Sequence, residues 1–121
     1  ANVVKPASNY VQAVVHSAAA ERIVISGQLG LKPDGVLEQG LEAQMLRAWS
    51  NVFATMAEAG FEKKQLVKAT VYVTVPGQVG LYRKVRDQVM DGLTCANTYI
   101  QVAGLAAPEF LVEIEAEAVK D

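Results

Sequence analysis

The residues of this chain that could do chemistry gather in its last third. Cys95-Ala96-Asn97-Thr98-Tyr99-Ile100-Gln101 alternates apolar and polar residues, and so does Val112-Glu113-Ile114-Glu115-Ala116, the mark of half-buried strands. A period of two puts Asn97, Tyr99 and Gln101 on one face of the first strand, and Glu113, Glu115 and Glu117 on one face of the second. A carboxylate in such a place can take a proton from water as a general base. An asparagine amide offers two donors and an acceptor to a bound molecule. Upstream, Gly27 has no Cβ, so its backbone can approach a ligand closely and its neighbouring N–H groups can polarise developing charge.

Several other chemistries lack their parts. His16 is the single histidine, so one chain cannot build a histidine triad or a histidine metal cluster; it reads as a surface residue. Cys95 is the single cysteine and has no basic neighbours in sequence. It reads as a packed thiol rather than a nucleophile. It also excludes an internal disulfide, which fits a reducing cytosol. Gly27, Gly30 and Gly35 are not followed by the Gly-Lys-Ser/Thr of a phosphate loop and suit turns. Taken alone, Glu113, Glu115 and Glu117 would be a solvated acidic face.

The elements that position these groups are legible from periodicity. With 121 residues and no repeat, low-complexity tract or linker, residues 1–121 read as one domain. Net charge is -2 and the pI about 5.4, which gives no electrostatic support for nucleic-acid binding. The longest apolar runs fall well short of a membrane span, and no signal peptide is marked. The expected location is cytoplasmic. Residues 10–18 alternate and predict a first strand, with Ser17 to Glu21 as a hairpin turn into a β-branched strand from Arg22 to Ser26. A short extra strand is expected at Val3-Val4. Gly27, Gly30, Pro33-Asp34-Gly35 and Gly40 then mark a turn-rich loop. From Leu41 to Ala59 the apolar residues Leu41, Met45, Trp49, Val52, Phe53 and Met56 recur at helical steps, with Gly60 as the C-terminal cap. Trp49 and the methionines read as core. Lys68 to Val75 alternates, with Ala69, Val71, Val73 and Val75 on one face. A second helix, Gln78 to Met90, carries Leu81, Val85 and Val89 on its stripe, and two strands close the chain. Two apolar stripes need one sheet face to cover. The other face, with Tyr10, Tyr72, Tyr99, Gln101 and the glutamates, is too apolar for an ordinary wet surface and too polar for a core. It is expected to meet another subunit.

Four segments carry a resemblance to one family. Asn9-Tyr10-Val11-Gln12-Ala13-Val14, Ile25-Ser26-Gly27-Gln28-Leu29, Leu66 to Thr74 and Leu111-Val112-Glu113-Ile114-Glu115-Ala116 are similar, in order and at nearly the right spacing, to segments of the RidA (YjgF) family of small enamine/imine deaminases. The resemblance implies an α+β, chorismate-mutase-like single domain: a mixed sheet with two helices on one face, assembled as a homotrimer. It implies ligand clefts between subunits, no metal or organic cofactor, and hydrolysis of reactive imines and enamines such as 2-aminoacrylate. It places Tyr10 near the cleft, Ser26 and Gly27 where a bound acid is contacted, and Glu113 where water is held or activated. Cys95 falls at the family proline. Asn97 stands where the family carries the arginine that clamps the substrate carboxylate.

That exchange has a physical consequence. Arginine offers a permanently charged planar fork and asparagine an uncharged amide. Charge-assisted hydrogen bonds are worth roughly 1.5–3 kcal/mol against roughly 0.5–1.5 for neutral ones. The difference is about 1–2 kcal/mol, on the order of ten- to thirtyfold in affinity for a keto-acid-like ligand. The expected substrate therefore differs from 2-aminoacrylate: a neutral molecule, or one whose carboxylate another group holds, with Lys64, Arg83 and Lys84 as candidates. The expected function is hydrolytic deamination of an imine or enamine, or a related small-molecule hydrolysis. The alternative is a non-catalytic trimeric protein that binds a small ligand.

Overall fold

Which face each strand turns to the helices decides which polar residues can meet. The structure is a computed structural model describing residues 2–3, 5–18 and 21–121. Its elements run β1 (Glu21–Leu29), α1 (Leu41–Glu58), β2 (Leu66–Val73), α2 (Val79–Met90), β3 (Ala96–Gln101) and β4 (Val112–Lys120), with one 3₁₀ turn at Lys63–Gln65. The strands form a single sheet in the order β1-β4-β2-β3. β4 lies antiparallel between β1 and β2. β3 pairs with β2 in parallel, as a strand does when a helix carries the chain back to the same end of the sheet.

The core lies between the sheet and α1. Ala69, Val71 and Val73 of β2 and Val112, Ile114, Ala116 and Ala118 of β4 are buried against Met45, Trp49, Val52 and Met56 of α1. Each such large side chain withdrawn from water contributes roughly 1.5–3 kcal/mol. Trp49 and all three methionines sit in this core, as their helical spacing predicts. Helix α1 ends in a Schellman motif. The Phe61 N–H reaches the Met56 carbonyl at 2.8 Å and the Gly60 N–H the Ala57 carbonyl at 3.0 Å. Gly60 takes φ +84°, a conformation that glycine adopts without the Cβ clash.

Three expectations change. Residues 10–18 carry no strand; only Val11 makes an isolated parallel bridge, to Ala96. The alternation there has no core face to bury: residues 12–18 are exposed, Val15 at 95%. The turn through Ala19-Ala20 and the strand at Val3-Val4 involve residues outside those described. Second, β1 does not stop at Ser26 but continues to Leu29. Its register against β4 jumps from Ile25↔Ala116 to Gln28↔Ile114, so Ser26 and Gly27 together oppose one residue, Glu115, in a β-bulge. Third, Tyr99 and Gln101 do not share the glutamates' face. Val71 pairs with Tyr99 and Val73 with Gln101, and Val71 and Val73 face the helices. Residues paired across a ladder share a face, so Asn97, Tyr99 and Gln101 face the helices too. Tyr72 pairs with Glu113 and Thr70 with Glu115, on the open face.

Candidate functional site

The open face is built around the bulge of β1. Tyr72 donates its hydroxyl hydrogen to Glu115 Oε1 at 2.5 Å. Arg22 Nη2 lies 2.9 Å from Glu117 Oε1. Lys68 Nζ donates to Thr98 Oγ1 at 2.6 Å. Val24, Ile25, Lys68, Thr70, Glu115, Ala116 and Glu117 line a groove of about 250 Å3 across this face. The hydrogen bond to Glu115 raises the Tyr72 pKa, burial adds to it, and the nearby charges of Glu115 and Glu113 push the same way, since each disfavours the phenolate.

Glu113 differs from its two neighbours. It is half-buried, and among the described residues no donor is aimed at its carboxylate. It lies directly over Gly27. A Cβ built on Gly27 would stand 2.2 Å from Glu113 Oε2 and 2.6 Å from its Cδ. The missing side chain is what lets the carboxylate sit on the bulged backbone. Ser26 is exposed beside it. The structure thus brings together Gly27 and Glu113, with Ser26 next to Gly27 in the bulge.

The second polar centre is a cleft of about 180 Å3 on the opposite side of the sheet, between β3, α2 and the N-terminal segment. It is lined by Ser8, Tyr10, Val79, Tyr82, Arg83, Arg86, Asn97 and Tyr99. The N-terminal segment is fastened there by the Val11 N–H to the Cys95 carbonyl at 3.3 Å and by Asn9 Nδ2 to Asp87 Oδ1 at 3.3 Å. The structure therefore brings Tyr10 and Asn97 together. Within one protomer they are separated from Glu113 by the sheet, so all five sequence-selected residues can share a site only if two protomers contribute to it.

Asn97 is held in a chain of hydrogen bonds. Tyr82 donates to Asn97 Oδ1 at 2.6 Å, and Arg86 Nη1 donates to the Tyr82 hydroxyl at 3.4 Å. Arg86 Nε and Nη2 both donate to Asp87 Oδ1, at 3.2 and 3.0 Å. The guanidinium carbon lies 5.1 Å from the centre of the Tyr82 ring, within range of a cation–π contact. Tyr82 in turn packs on Tyr99, ring centres 4.8 Å apart. Burial raises the Tyr82 pKa, opposed by Arg86. Asn97 Nδ2 lies 3.5 Å from Cys95 Sγ. Cys95 is buried, and desolvation pushes its thiol from 9.0 up to about 11, so it is a packed thiol as expected. His16 is exposed. Among the described residues no three His, Cys, Asp or Glu side chains are grouped to hold a metal ion.

Arg86 is the residue that sequence reasoning missed. It is 2% exposed. The stripe drawn through Leu81, Val85 and Val89 is rotated in the fold toward Tyr82, Val85, Arg86 and Met90, the buried residues of α2. The signal was present: Tyr82, Arg86 and Met90 follow one another at steps of four. Helix charges usually face solvent, and this one lies on the apolar stripe instead.

Comparison with known proteins agrees with this geometry. The family model described as endoribonuclease L-PSP matches residues 1–120. A RutC family protein of Aquifex aeolicus is 40% identical over 53 residues. That match spans 43% of this chain and 42% of that protein, less than half of either. A protein of the conserved Rid family from Yersinia pestis is similar in structure, with a TM-score of 0.81 and 27% identity over 98% of this chain and 97% of that one. The E. coli TdcF structure with bound serine has a TM-score of 0.78 and 28% identity, covering 98% of this chain and 91% of that one. No helix among the described residues is long and apolar enough to cross a membrane. The four resembling segments, the mixed four-stranded sheet under two helices and the match along the whole chain place this protein in the endoribonuclease L-PSP family, the Rid (YjgF) proteins.

Proposed function

We propose that this protein hydrolyses a small imine or enamine in a cleft that two protomers complete, one giving Tyr10 and Asn97 and the other Ser26, Gly27 and Glu113. The observation that carries the reading is Glu113: of three glutamates on one face, two are engaged by Tyr72 and Arg22, and the third is half-buried, has no donor among the described residues and is seated on a glycine backbone. A carboxylate kept from protein donors is available to water. The open face supports an assembly. Val24 and Ile100 are 65% and 38% exposed on it, beside polar groups already paired with one another, a mixture suited to a second copy. The family resemblance supports a homotrimer as that assembly.

The chemistry follows from the groups present. Glu113 takes a proton from water as the water oxygen adds to the imine carbon. The C=N electron pair moves to nitrogen, which takes up a proton. The resulting carbinolamine loses ammonia as its hydroxyl oxygen forms the C=O bond and gives up its proton. Backbone N–H groups at the bulge steady the developing charge. No step calls on a metal or an organic cofactor. Because Asn97 replaces the strand arginine, the substrate differs from 2-aminoacrylate. The serine-bound TdcF relative supports a ligand of amino-acid size. The family description refers to RNA cleavage. Here the open face sets three glutamates beside Lys68 and Arg22, and both bases are already engaged, a poor path for phosphates.

Ammonia release from a panel of freshly generated imines tests the reading. The protein should release ammonia from at least one imine, and Glu113→Ala should lose roughly a hundredfold or more of that rate. Release no faster than the Glu113→Ala variant for every imine overturns hydrolysis and leaves a ligand-binding protein. A monomer in solution overturns the shared cleft.

A further inference from the structure

We propose that Arg86 of α2 is the cation of the β3 cleft, and that with the Asn97 amide it holds the carboxylate of a compact organic acid. The proposal rests on the reading of the cleft as a small-ligand site and names its charge partner. Three observations carry it.

The first is the lining. Two arginines, three tyrosines, a serine and an asparagine are among the residues that line the cleft, and no Asp or Glu is. Asp87 pairs with Arg86 from outside that lining, with its side chain 52% exposed. Arg83 and Arg86 against Asp87 leave one net positive charge. A pocket rich in donors and short of acceptors favours an acceptor-rich anion.

The second is the state of Arg86. A guanidinium has five N–H donors and no acceptor. Nε, Nη1 and Nη2 each use one on Asp87 or Tyr82. Among the described residues no acceptor takes the second N–H of either Nη. A buried guanidinium with unused N–H groups beneath a polar cleft is a ready partner for an acceptor in that cleft.

The third is the direction of the chain that leads to Asn97. Arg86 can only donate, so the Tyr82 oxygen accepts from it and turns its own hydrogen to Asn97 Oδ1 at 2.6 Å. The Asn97 carbonyl is thereby occupied; one N–H of the amide is directed at Cys95 Sγ at 3.5 Å, and the second N–H is the donor left to a ligand. Hydrogen bonds in series polarise one another, so the charge of Arg86 strengthens the donor that Asn97 presents. The positive charge is thus carried by the helix beside β3 and not by the strand itself.

Pyruvate and its neutral counterpart pyruvamide are the probes, titrated against the assembled protein by calorimetry. The native protein should bind pyruvate more tightly. Arg86→Met should weaken pyruvate about tenfold to a hundredfold, the worth of a charged hydrogen-bond pair, and leave pyruvamide within about threefold. Asp87→Asn should tighten pyruvate by about threefold or more, because it frees the guanidinium at an exposed rim position. Equal binding of the two probes, unmoved by Arg86→Met, overturns the assignment of Arg86 while the ligand-site reading stands. No binding of either probe overturns both. Should Arg86→Met not fold, Asp87→Asn decides, and an unchanged preference between pyruvate and pyruvamide overturns the proposal.

Discussion

Glu113 and Asn97 lie on opposite faces of one sheet, and the two faces prepare them in opposite ways. Asn97 is fixed: its carbonyl accepts from Tyr82, Tyr82 accepts from Arg86, and Arg86 is anchored on Asp87. Glu113 has no donor among the described residues, and its place is made by an absent Cβ on Gly27. Recognition gains from a donor whose orientation is settled before the ligand arrives. A general base must keep a lone pair for water. The same sheet supplies both because alternation sends neighbouring residues to opposite sides. On the proposed reading, the recognising amide and the base therefore lie on opposite faces of the sheet, one sheet thickness apart.

Gly27→Ala should break the free side of this comparison most severely. The new Cβ would overlap the end of the Glu113 side chain at 2.2 Å. That side chain is flexible and half-exposed, so it swings away and the fold survives. Turnover should fall about a hundredfold, as for loss of a positioned base. Thermal unfolding should move by only a few degrees. A variant that keeps its rate would show that the carboxylate does not act from this position.

Gly30→Ala is the matched control, with its cost in the fold instead. Its Cβ would stand 2.6 Å from Gln44 Cα, a backbone atom of α1 that cannot swing away. Gln44 is buried and holds the end of the β3–β4 connection next to β4, donating to the Glu109 carbonyl at 3.1 Å and accepting from the Leu111 N–H at 2.9 Å. Overpacking there should cost about 1–3 kcal/mol of stability, read by urea denaturation. Turnover per folded molecule should stay near the native value. Two glycines three residues apart should thus separate chemistry from packing.

The fixed side has a pH signature. Burial first, against weaker opposing contributions from Asn97, Lys68 and Arg86, raises the Cys95 thiol from 9.0 to about 11. The folded state therefore holds this proton more tightly than the unfolded chain. The stabilisation is complete below pH 9 and is lost as pH rises through 11. Relative to Cys95→Ala, the native protein should lose about 1 kcal/mol of stability between pH 9 and pH 10, from the linkage of one proton. Equal slopes for the two proteins would place the thiol in contact with solvent.

Much of this was legible in the sequence. The helix stripe from Leu41, the alternation of β2 and the cap at Gly60 are local patterns with one physical solution; the stripe and the cap form where the sequence places them, and the strand expected at Lys68 to Val75 forms at Leu66–Val73. The first strand was not, because residues 10–18 alternate without a core to face. The face of β3 was not legible either. A period of two assigns Asn97, Tyr99 and Gln101 to one side but does not say which; that is set by the parallel register against Val71 and Val73, a long-range fact. The bulge at Ser26-Gly27 depends on how β1 meets β4, and it is what joins Gly27 to Glu113. Arg86 was hidden by a sound habit, since helix arginines seldom lie buried unless paired.

The smallest predicted effect sharpens the comparison furthest, because it sets two glutamates on one strand against each other. Glu113 and Glu115 share a face, a strand and a charge, and they are two residues apart. Glu115 already accepts the Tyr72 hydroxyl hydrogen at 2.5 Å. A carboxylate oxygen that already accepts a hydrogen bond has one lone pair fewer to offer water. Glu115→Gln keeps an acceptor for Tyr72 and should change turnover by no more than about twofold, in line with an exposed substitution. Glu113→Gln, the same deletion of charge on the same face, should abolish most of the rate. If the two glutamines prove equally damaging, the rate depends on the charge of the acidic face as a whole. If only Glu113→Gln is damaging, the base is selected by which carboxylate the fold leaves unclaimed.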